Sequence, residues 1–214
     1  MPNRGMSDRR IAESALALVD EEGVEGLSMR KLAQRLGVAP MSLYTYFSDR
    51  EAVLDAVAQL LLAEVEAPEG LDWRETIRRI MRSVREVGLR HPRAAPLINR
   101  FPPRTPDAFA FVEAGFRAFR HAGFDDESTA RCYRALAVYS MGSFDVELSR
   151  YFAIHPAGGP ASGSLDAPTL EKHLPSVARI GPLLAGQDDA DEFEYGLGLL
   201  LDGFAAAMAT RSRP

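Results

Sequence analysis

The chain has little of what several classes of protein depend on. Cysteine occurs once, at Cys132, so no internal disulfide can form, and we expect a small core residue rather than a redox switch. The sequence also shows no phosphate-binding loop, no Ser–His–Asp arrangement and no zinc signature. We therefore predict a protein without catalytic residues and without a cofactor.

The four histidines are scattered along the chain without the spacing of metal ligands. They are His91, His121, His155 and His173. A metal site at these positions is the alternative to surface or helix-capping roles, and the lack of ligand spacing favours the surface and capping roles. We expect no bound metal.

Long apolar runs are missing as well. No run reaches the length of about 18 residues that a membrane span needs, and Met1–Arg10 lacks the apolar segment of a signal peptide. We therefore expect a cytoplasmic protein that makes no membrane contact. The net charge of −5 does not by itself indicate nucleic-acid binding. Acidic residues cluster at positions 20–25, however, away from the basic residues that follow them, and this local separation of charge can give a phosphate-facing side.

Apolar residues recur at helical spacing, and we see no convincing alternation of the kind that predicts strands. Ser7 and Gly23 are expected to bound the first helix, and Ser28 and Gly37 the second, while Pro40 suits the first turn of a very short third helix. The sequence therefore predicts an all-α protein that begins with a three-helix domain.

Further helices are predicted along the rest of the chain. Ser48 and Glu51 form a predicted capping box for a fourth helix. The stretch APEGL at 67–71 is the first clear break, where we place a boundary between domains 1–66 and 67–214. The later predicted helices begin or lie at Asp72, at Thr105, at Asp125 (running to about Phe152), around Leu170–Ala178 and at about Asp189–Arg211. Ala153–Ala167 is rich in Gly, Pro and Ser, which predicts a mobile loop.

The segment from Met29 to Phe47 meets the requirements of a helix-turn-helix, namely apolar inner faces, a tight turn and a short second helix. With Leu43 and Phe47 turned inward, the outward residues are Pro40, Met41, Ser42, Tyr44, Thr45 and Tyr46. Hydroxyls and aromatic edges on such a surface can contact phosphates and thymine methyl groups. Spacing alone leaves DNA binding and an ordinary three-helix bundle equally open.

The stretch SMRKLAQRLGVAPMSLYTYFSDREAVLDAV resembles the signature of the TetR family of transcriptional regulators. The matching positions are Leu32-Ala33, Leu36-Gly37-Val38, Leu43-Tyr44, Tyr46-Phe47, Arg50 and Leu54. The resemblance covers about residues 8–60, and the combined pattern is specific. It implies that the N-terminal domain binds double-stranded DNA.

The resemblance also implies DNA contacts at seven positions. They are Ser28, Pro40, Met41, Ser42, Tyr44, Tyr46 and Arg50. Residues 40–42 stand where the family reads base edges, and the other four stand where it makes backbone or further contacts. Arginine at position 50 replaces the more usual lysine but keeps the charge and the donors. We expect Tyr44 and Arg50 to be exposed and directed at phosphates.

Two later stretches, LRHPRAAPLINR and HAGFDDESTARCYRALAVYSMGSFDVE, resemble more loosely the C-terminal domain of a tetracycline-repressor-like subgroup. This resemblance implies that the long helix from Asp125 and the last helix form a four-helix bundle with a second subunit. Small residues such as Ala135, Gly142, Gly196 and Gly203 would let those helices approach closely. Packing within one subunit is the alternative to a homodimer.

The same resemblance implies a small-molecule effector that releases the protein from a palindromic operator. Candidate contacts for an apolar or aromatic effector are Met81, His91, Asn99, Phe101, Phe116, Tyr133, Tyr139 and Phe144. Ordinary core packing is the alternative for these side chains. An activator, a ligand-independent regulator, a helical enzyme and a purely structural bundle are the competing functions. The prediction is thus a DNA-binding domain followed by a helical domain for ligand binding and dimerisation.

Overall fold

The computed structural model of the chain describes residues 6–149, 167–184 and 188–211, and within these ranges all regular secondary structure is helical. The described residues form two compact units that divide between Thr129 and Ala130. The predicted mobile loop at Ala153–Ala167 and the predicted end of the long helix at Phe152 lie outside the described residues, except that Ala167 begins a helix.

Helices α1 to α7 build the first unit. Their bounds are α1 Asp8–Glu22, α2 Met29–Leu36, α3 Pro40–Leu43, α4 Arg50–Ala63, α5 Trp73–Arg90, α6 Pro96–Arg100 and α7 Pro106–His121, with a 3₁₀ turn at Val24–Gly26. Helix α8, Asp126–Ser149, starts at the end of this unit and continues into the second one. The second unit also holds α9 Ala167–His173, α10 Pro175–Leu184 and α11 Asp189–Arg211.

The predicted caps fix the first two helices. The Ser7 hydroxyl accepts a hydrogen bond from the Arg10 backbone N–H at 3.2 Å, and α1 ends at Gly23, whose φ of 79° is readily adopted only by glycine. Ser28 caps α2 in the same way, and Gly37 ends it in the left-handed conformation with φ 68°. Ile11, Leu32, Leu43 and Leu54 are fully buried, so α1 to α4 share one apolar core.

The predicted capping box of α4 is wrong by one residue. Asp49, not Ser48, caps the helix, because its carboxylate accepts a hydrogen bond from the Ala52 backbone N–H at 2.8 Å. This hydrogen bond lowers the pKa of the Asp49 carboxyl. Ser48 instead donates its hydroxyl to the Asp49 carboxylate at 3.2 Å. Both residues are common caps, and only the geometry of the turn decides between them.

Helix α6 was not predicted from the sequence. It spans five residues, Pro96–Arg100, which is too short to show helical periodicity. Helices α5 and α7 meet where Gly115 lies against Ile77 and Ile80, and a ring cluster of Trp73, Phe119 and Phe124 with centroids 5.1 to 5.7 Å apart closes one end of that contact. The first compact unit therefore extends past position 66, and the predicted boundary between residues 66 and 67 does not coincide with the division between the units.

Tyr139 and Gly196 join α8 to α11 in the second unit. The Tyr139 ring stacks on Phe193 with centroids 5.6 Å apart, and its hydroxyl donates to the Phe193 carbonyl at 2.7 Å. A Cβ at position 196 would lie only 2.5 Å from the Tyr139 hydroxyl oxygen, so the close approach needs glycine. The weak helix predicted around Leu170–Ala178 is two helices, α9 and α10.

Candidate DNA-binding site

The turn between α2 and α3 shapes the candidate DNA-binding site. The Val38 backbone N–H donates to the Ala33 carbonyl at 3.0 Å across Gly37, which ends α2 and redirects the chain. Pro40 then occupies the first turn of α3, where its missing N–H costs nothing. Leu43 is fully buried and Phe47 is buried, as the inward positions of a recognition helix require.

Two large side chains dominate the outer face of α3. Met41 is 74% exposed and Tyr44 is 47% exposed, in agreement with the outward positions predicted from the sequence. Pro40 is also exposed, whereas Ser42 and Tyr46 are half-buried. The face is therefore mainly apolar and aromatic, and Tyr44 contributes an exposed hydroxyl that suits a phosphate oxygen.

The hydroxyls beside this face are partly used within the chain. Thr45 donates its hydroxyl to the Ser42 carbonyl at 2.7 Å, so it is not available as a donor to DNA in this conformation. The Ser28 oxygen accepts from the Lys31 backbone N–H at 3.2 Å, but this contact leaves the Ser28 hydroxyl hydrogen available. Ser28 can therefore cap α2 and donate to a phosphate at the same time.

Arg50 does not have the exposed position predicted for it. Its side chain is 31% exposed, and Nε donates to the Leu27 carbonyl at 2.8 Å while Nη2 donates to the Val24 carbonyl at 2.5 Å. Nη1 lies 3.4 Å from the Glu51 carboxylate. The guanidinium thus holds the 3₁₀ turn that precedes Ser28. Local spacing cannot predict this role, because the two carbonyls lie 23 and 26 positions away from Arg50.

The predicted separation of acidic and basic residues is also wrong. Glu21 receives two hydrogen bonds from Arg35, at 2.6 and 2.7 Å, and Glu22 pairs with Lys31. The hydrogen bonds between Glu21 and Arg35 lower the pKa of the carboxyl and raise the pKa of the guanidinium. Any phosphate contact by Arg35 or Lys31 therefore competes with an ion pair inside the protein.

Arg30 is a candidate contact that the sequence analysis missed. It lies at the second position of α2 and is exposed, and its side chain makes no hydrogen bond or ion pair within residues 6–149, 167–184 and 188–211. Its position in the first turn of α2, two residues after Ser28, was the signal that could have identified it. An unpaired guanidinium beside a helix N-terminus is well suited to a phosphate.

The candidate effector residues of the first unit lie on or beside α5, α6 and α7. Met81 is buried on α5, Phe116 is half-buried on α7, and Asn99 is exposed on α6. Phe101 follows α6, and the Arg100 guanidinium carbon lies 5.2 Å from the centre of its ring. His91 follows the last residue of α5, and its Nδ1 lies 2.8 Å from the Asp20 carboxylate. A ligand would have to compete with Asp20 for this ring nitrogen.

The candidate effector residues of the second unit lie on α8. Phe144 is buried, and burial raises the pKa of the half-buried Tyr133 hydroxyl and of the Tyr139 hydroxyl. The contacts of Tyr139 with α11 match the core-packing alternative given from the sequence.

Cys132 is buried and burial raises the pKa of its thiol, which disfavours the reactive thiolate that a redox switch needs.

Neither a metal-binding cluster nor a membrane-spanning helix is found within the described residues. No group of three or more His, Cys, Asp and Glu side chains that could hold a metal ion occurs among them. None of the helices in that part of the chain is long and apolar enough to cross a membrane.

Both parts of the chain match models of known families. Residues 11–57 match the model described as bacterial regulatory proteins, tetR family, and residues 66–208 match the model described as tetracyclin repressor-like, C-terminal domain.

Several known proteins are similar over nearly the whole length. An HTH-type transcriptional regulator of Saccharopolyspora erythraea is 33% identical over 94% of this chain and 85% of its own length. The class A tetracycline repressor of transposon 1721 from Escherichia coli is 29% identical over 91% of this chain and 88% of its own length. The crystal structure of ActR from Streptomyces coelicolor in complex with (S)-DNPA is 30% identical, with a TM-score of 0.82 over 97% of this chain and 99% of that one.

Proposed function

Because the chain is a DNA-binding transcriptional regulator of the TetR family, we propose that it is a homodimeric repressor released from a palindromic operator by a small molecule. The observation that carries DNA recognition is the outer face of α3, with Met41 and Tyr44 exposed above a buried Leu43. The proposed DNA-binding segment is residues 1–66, and residues 67–214 bind the effector and dimerise. We place the protein in the cytoplasm. The proposed function requires no catalytic residue.

The proposed DNA contacts divide into two groups. Pro40, Met41 and Ser42 approach the bases in the major groove, where Met41 suits apolar contact with thymine methyl groups. The groups proposed to contact the DNA backbone are Ser28, Arg30, Tyr44 and Tyr46. We assign Arg50 to a different role, as a residue that holds the turn before α2, because its donors already serve two backbone carbonyls.

Binding to the DNA upstream of its own gene tests the proposed regulator function. We expect a gel shift with that DNA in the parent protein, and repression of a reporter gene placed behind it. Increased reporter expression would instead identify an activator, and the absence of any shift would contradict the proposal. Release of the shift by a small molecule separates a ligand-responsive repressor from a ligand-independent one.

Replacing Tyr44 by alanine should weaken operator binding about tenfold without lowering the melting temperature. The side chain is 47% exposed and is not one of the buried core residues, and one hydrogen bond to a charged group contributes about 1.5 kcal/mol. The loss should be similar for all DNA sequences if the hydroxyl contacts a phosphate. Tyr44→Phe is the matched control that removes only the hydroxyl. Unchanged affinity in both variants would show that α3 does not dock through this side chain.

The homodimer is proposed from two unpartnered helix faces in the second unit. On α8, Val138 is 71% exposed and Met141 is exposed one turn further along. On α11, Tyr195 and Leu199 are exposed at the i, i+4 spacing of one face. Leu136, also on α8, is buried within its own subunit and is not part of the exposed face. A second copy would cover the exposed faces and hold two recognition helices roughly 34 Å apart, one turn of DNA.

An apolar or aromatic effector is proposed for the part of the chain that matches the tetracyclin repressor-like model. The relatives support this, since ActR of Streptomyces coelicolor forms crystalline complexes with (S)-DNPA and with actinorhodin. In the first unit Met81, Phe101 and Phe116 would provide apolar contacts, and the exposed Asn99 amide would orient the ligand. Tyr133, Tyr139 and Phe144, on α8 in the second unit, are also proposed as effector contacts.

Thermal-shift measurements with tetracycline, (S)-DNPA and actinorhodin test the effector proposal. A ligand present at 100 times its dissociation constant stabilises the folded state by about 2.7 kcal/mol, so a clear rise in melting temperature is expected from a true effector. The same compound should release the operator in a gel shift, and Phe116→Ala should reduce both effects. A compound that raises the melting temperature and leaves DNA binding unchanged would contradict the proposed release.

A further inference from the structure

The bend between α5 and α6 is fixed by His91. Its backbone N–H donates to the Val87 carbonyl at 3.1 Å and ends α5, while its carbonyl accepts from Ala94 and Ala95 at 2.9 and 2.8 Å. The side-chain orientation of His91 is therefore set by a well-hydrogen-bonded stretch of backbone. Any movement of this bend moves the imidazole ring with it.

The His91 ring connects this bend to the DNA-binding helices. Nδ1 lies 2.8 Å from the Asp20 carboxylate in the last turn of α1, and Nε2 lies 3.8 Å from the Glu64 carboxylate just after α4. A carboxylate only accepts hydrogen bonds, so Nδ1 carries the hydrogen of this contact. Arg90 pairs with Glu64 from the neighbouring position of α5. The His91 side chain is 15% exposed and the Asp20 side chain is 32% exposed, so the contact is partly shielded from water.

Arg93 makes a second connection from the same bend. Its Nη1 donates to the Asp20 carbonyl at 3.2 Å and to the Glu21 carbonyl. The last carbonyls of a helix have no partner within the helix, so Arg93 serves as a cap for the C-terminus of α1. The bend thus holds both the side chain and the backbone of the last turn of α1.

The same turn of α1 continues the connection into the helix-turn-helix. Glu21 is held by two hydrogen bonds from Arg35, and Glu22 pairs with Lys31, so both acidic side chains bind α2. We call Asp20, Glu21 and Glu22 the acidic junction. Its first member faces the α5–α6 bend, and the next two face α2, the helix that precedes the recognition helix.

We propose that His91 and Arg93 are positioning residues that set the orientation of the helix-turn-helix through the acidic junction. This inference rests on the proposed function, and it names the contacts through which a change at the α5–α6 bend reaches the DNA-binding helices. A double-mutant cycle measures the energetic coupling along this path of contacts. The two residues of the cycle are His91 and Asp20.

Operator affinity, measured by anisotropy of a labelled duplex at fixed salt, is the first readout. His91→Ala and Asp20→Ala should each weaken binding at least about fivefold, and the double variant should bind no worse than either single one, because both remove the same contact. His91→Asn should restore most of the affinity, since its amide nitrogen occupies the place of Nδ1. His121→Ala, an exposed histidine at the end of α7, is the matched control and should bind like the parent.

Amide hydrogen exchange without DNA is the second readout. His91→Ala should speed exchange in residues 20–36 and leave α7 unchanged. Failure of the parent to bind any operator, together with faster exchange in the variant, would reject the proposed function while supporting the connection. Parent-like affinity and exchange in His91→Ala would overturn the inference. Additive losses in the double variant would overturn it too, as would a lower melting temperature with unchanged affinity.

Discussion

Replacing Leu199 by aspartate should convert the protein into a monomer and reduce its operator affinity about 100-fold or more. Leu199 is 58% exposed in the single chain, one helical turn from the exposed Tyr195 on α11, so more than half of its surface is left uncovered by the described residues. Burying a carboxylate in an apolar interface is strongly unfavourable, so the dimer should dissociate. Each monomer would then contact one half-site, and the gain from binding two linked sites, about 10²- to 10⁴-fold, would disappear.

Sedimentation measures the first effect and anisotropy with a full operator the second. Leu71→Asp is the matched control, because Leu71 is an exposed leucine of the segment between α4 and α5. Val138→Asp tests the α8 face with a second substitution, in case the α11 variant perturbs its own helix, and circular dichroism reports helix content in each. A variant that stays dimeric with both aspartates in place would contradict the assignment of these two faces. A dimer that no longer binds DNA would separate assembly from recognition.

The local signals in the sequence were sufficient for most of the fold. Ser28, Gly37 and Pro40 act within a few residues of their own position, and each defines a helix boundary as predicted. The all-α architecture and the resemblance to TetR regulators are confirmed. The resemblance could be recognised from the sequence because the motif from Met29 to Phe47 combines many such local requirements. Helix α6 was missed because five residues contain too little periodicity to be recognised.

The side-chain partners could not be predicted in the same way. The acidic residues at 20–22 looked separate from the basic residues along the chain, yet folding brings Glu21 onto Arg35 and Asp20 onto His91. These pairs join positions 14 and 71 residues apart, and nothing in local spacing marks them. The role of the α8 and α11 faces could not be predicted from the sequence either, since small residues in a helix suit packing inside a subunit as well as between subunits.

Replacing Arg50 by alanine should destabilise the protein by about 2 kcal/mol or more and weaken operator binding without changing its salt dependence. The substitution removes two charge-assisted hydrogen bonds and leaves the Val24 and Leu27 carbonyls without this donor. The turn before α2 would then loosen, and Ser28 with it, so binding would weaken indirectly. Arg50→Lys should be intermediate, because an ammonium group cannot reach both carbonyls with the fixed spacing of a guanidinium.

Arg30→Ala is the matched control with the opposite expected pattern. Arg30 is exposed and unpaired within the described residues, so its loss should leave the melting temperature unchanged. It should lower the slope of log affinity against log salt by about 0.9, the value for one lost phosphate contact. Chemical denaturation and a salt titration of operator binding therefore distinguish the two arginines. A smaller salt slope with unchanged stability in Arg50→Ala would instead assign Arg50 to the DNA backbone, because a side chain that only holds the turn neutralises no phosphate and releases no counterion.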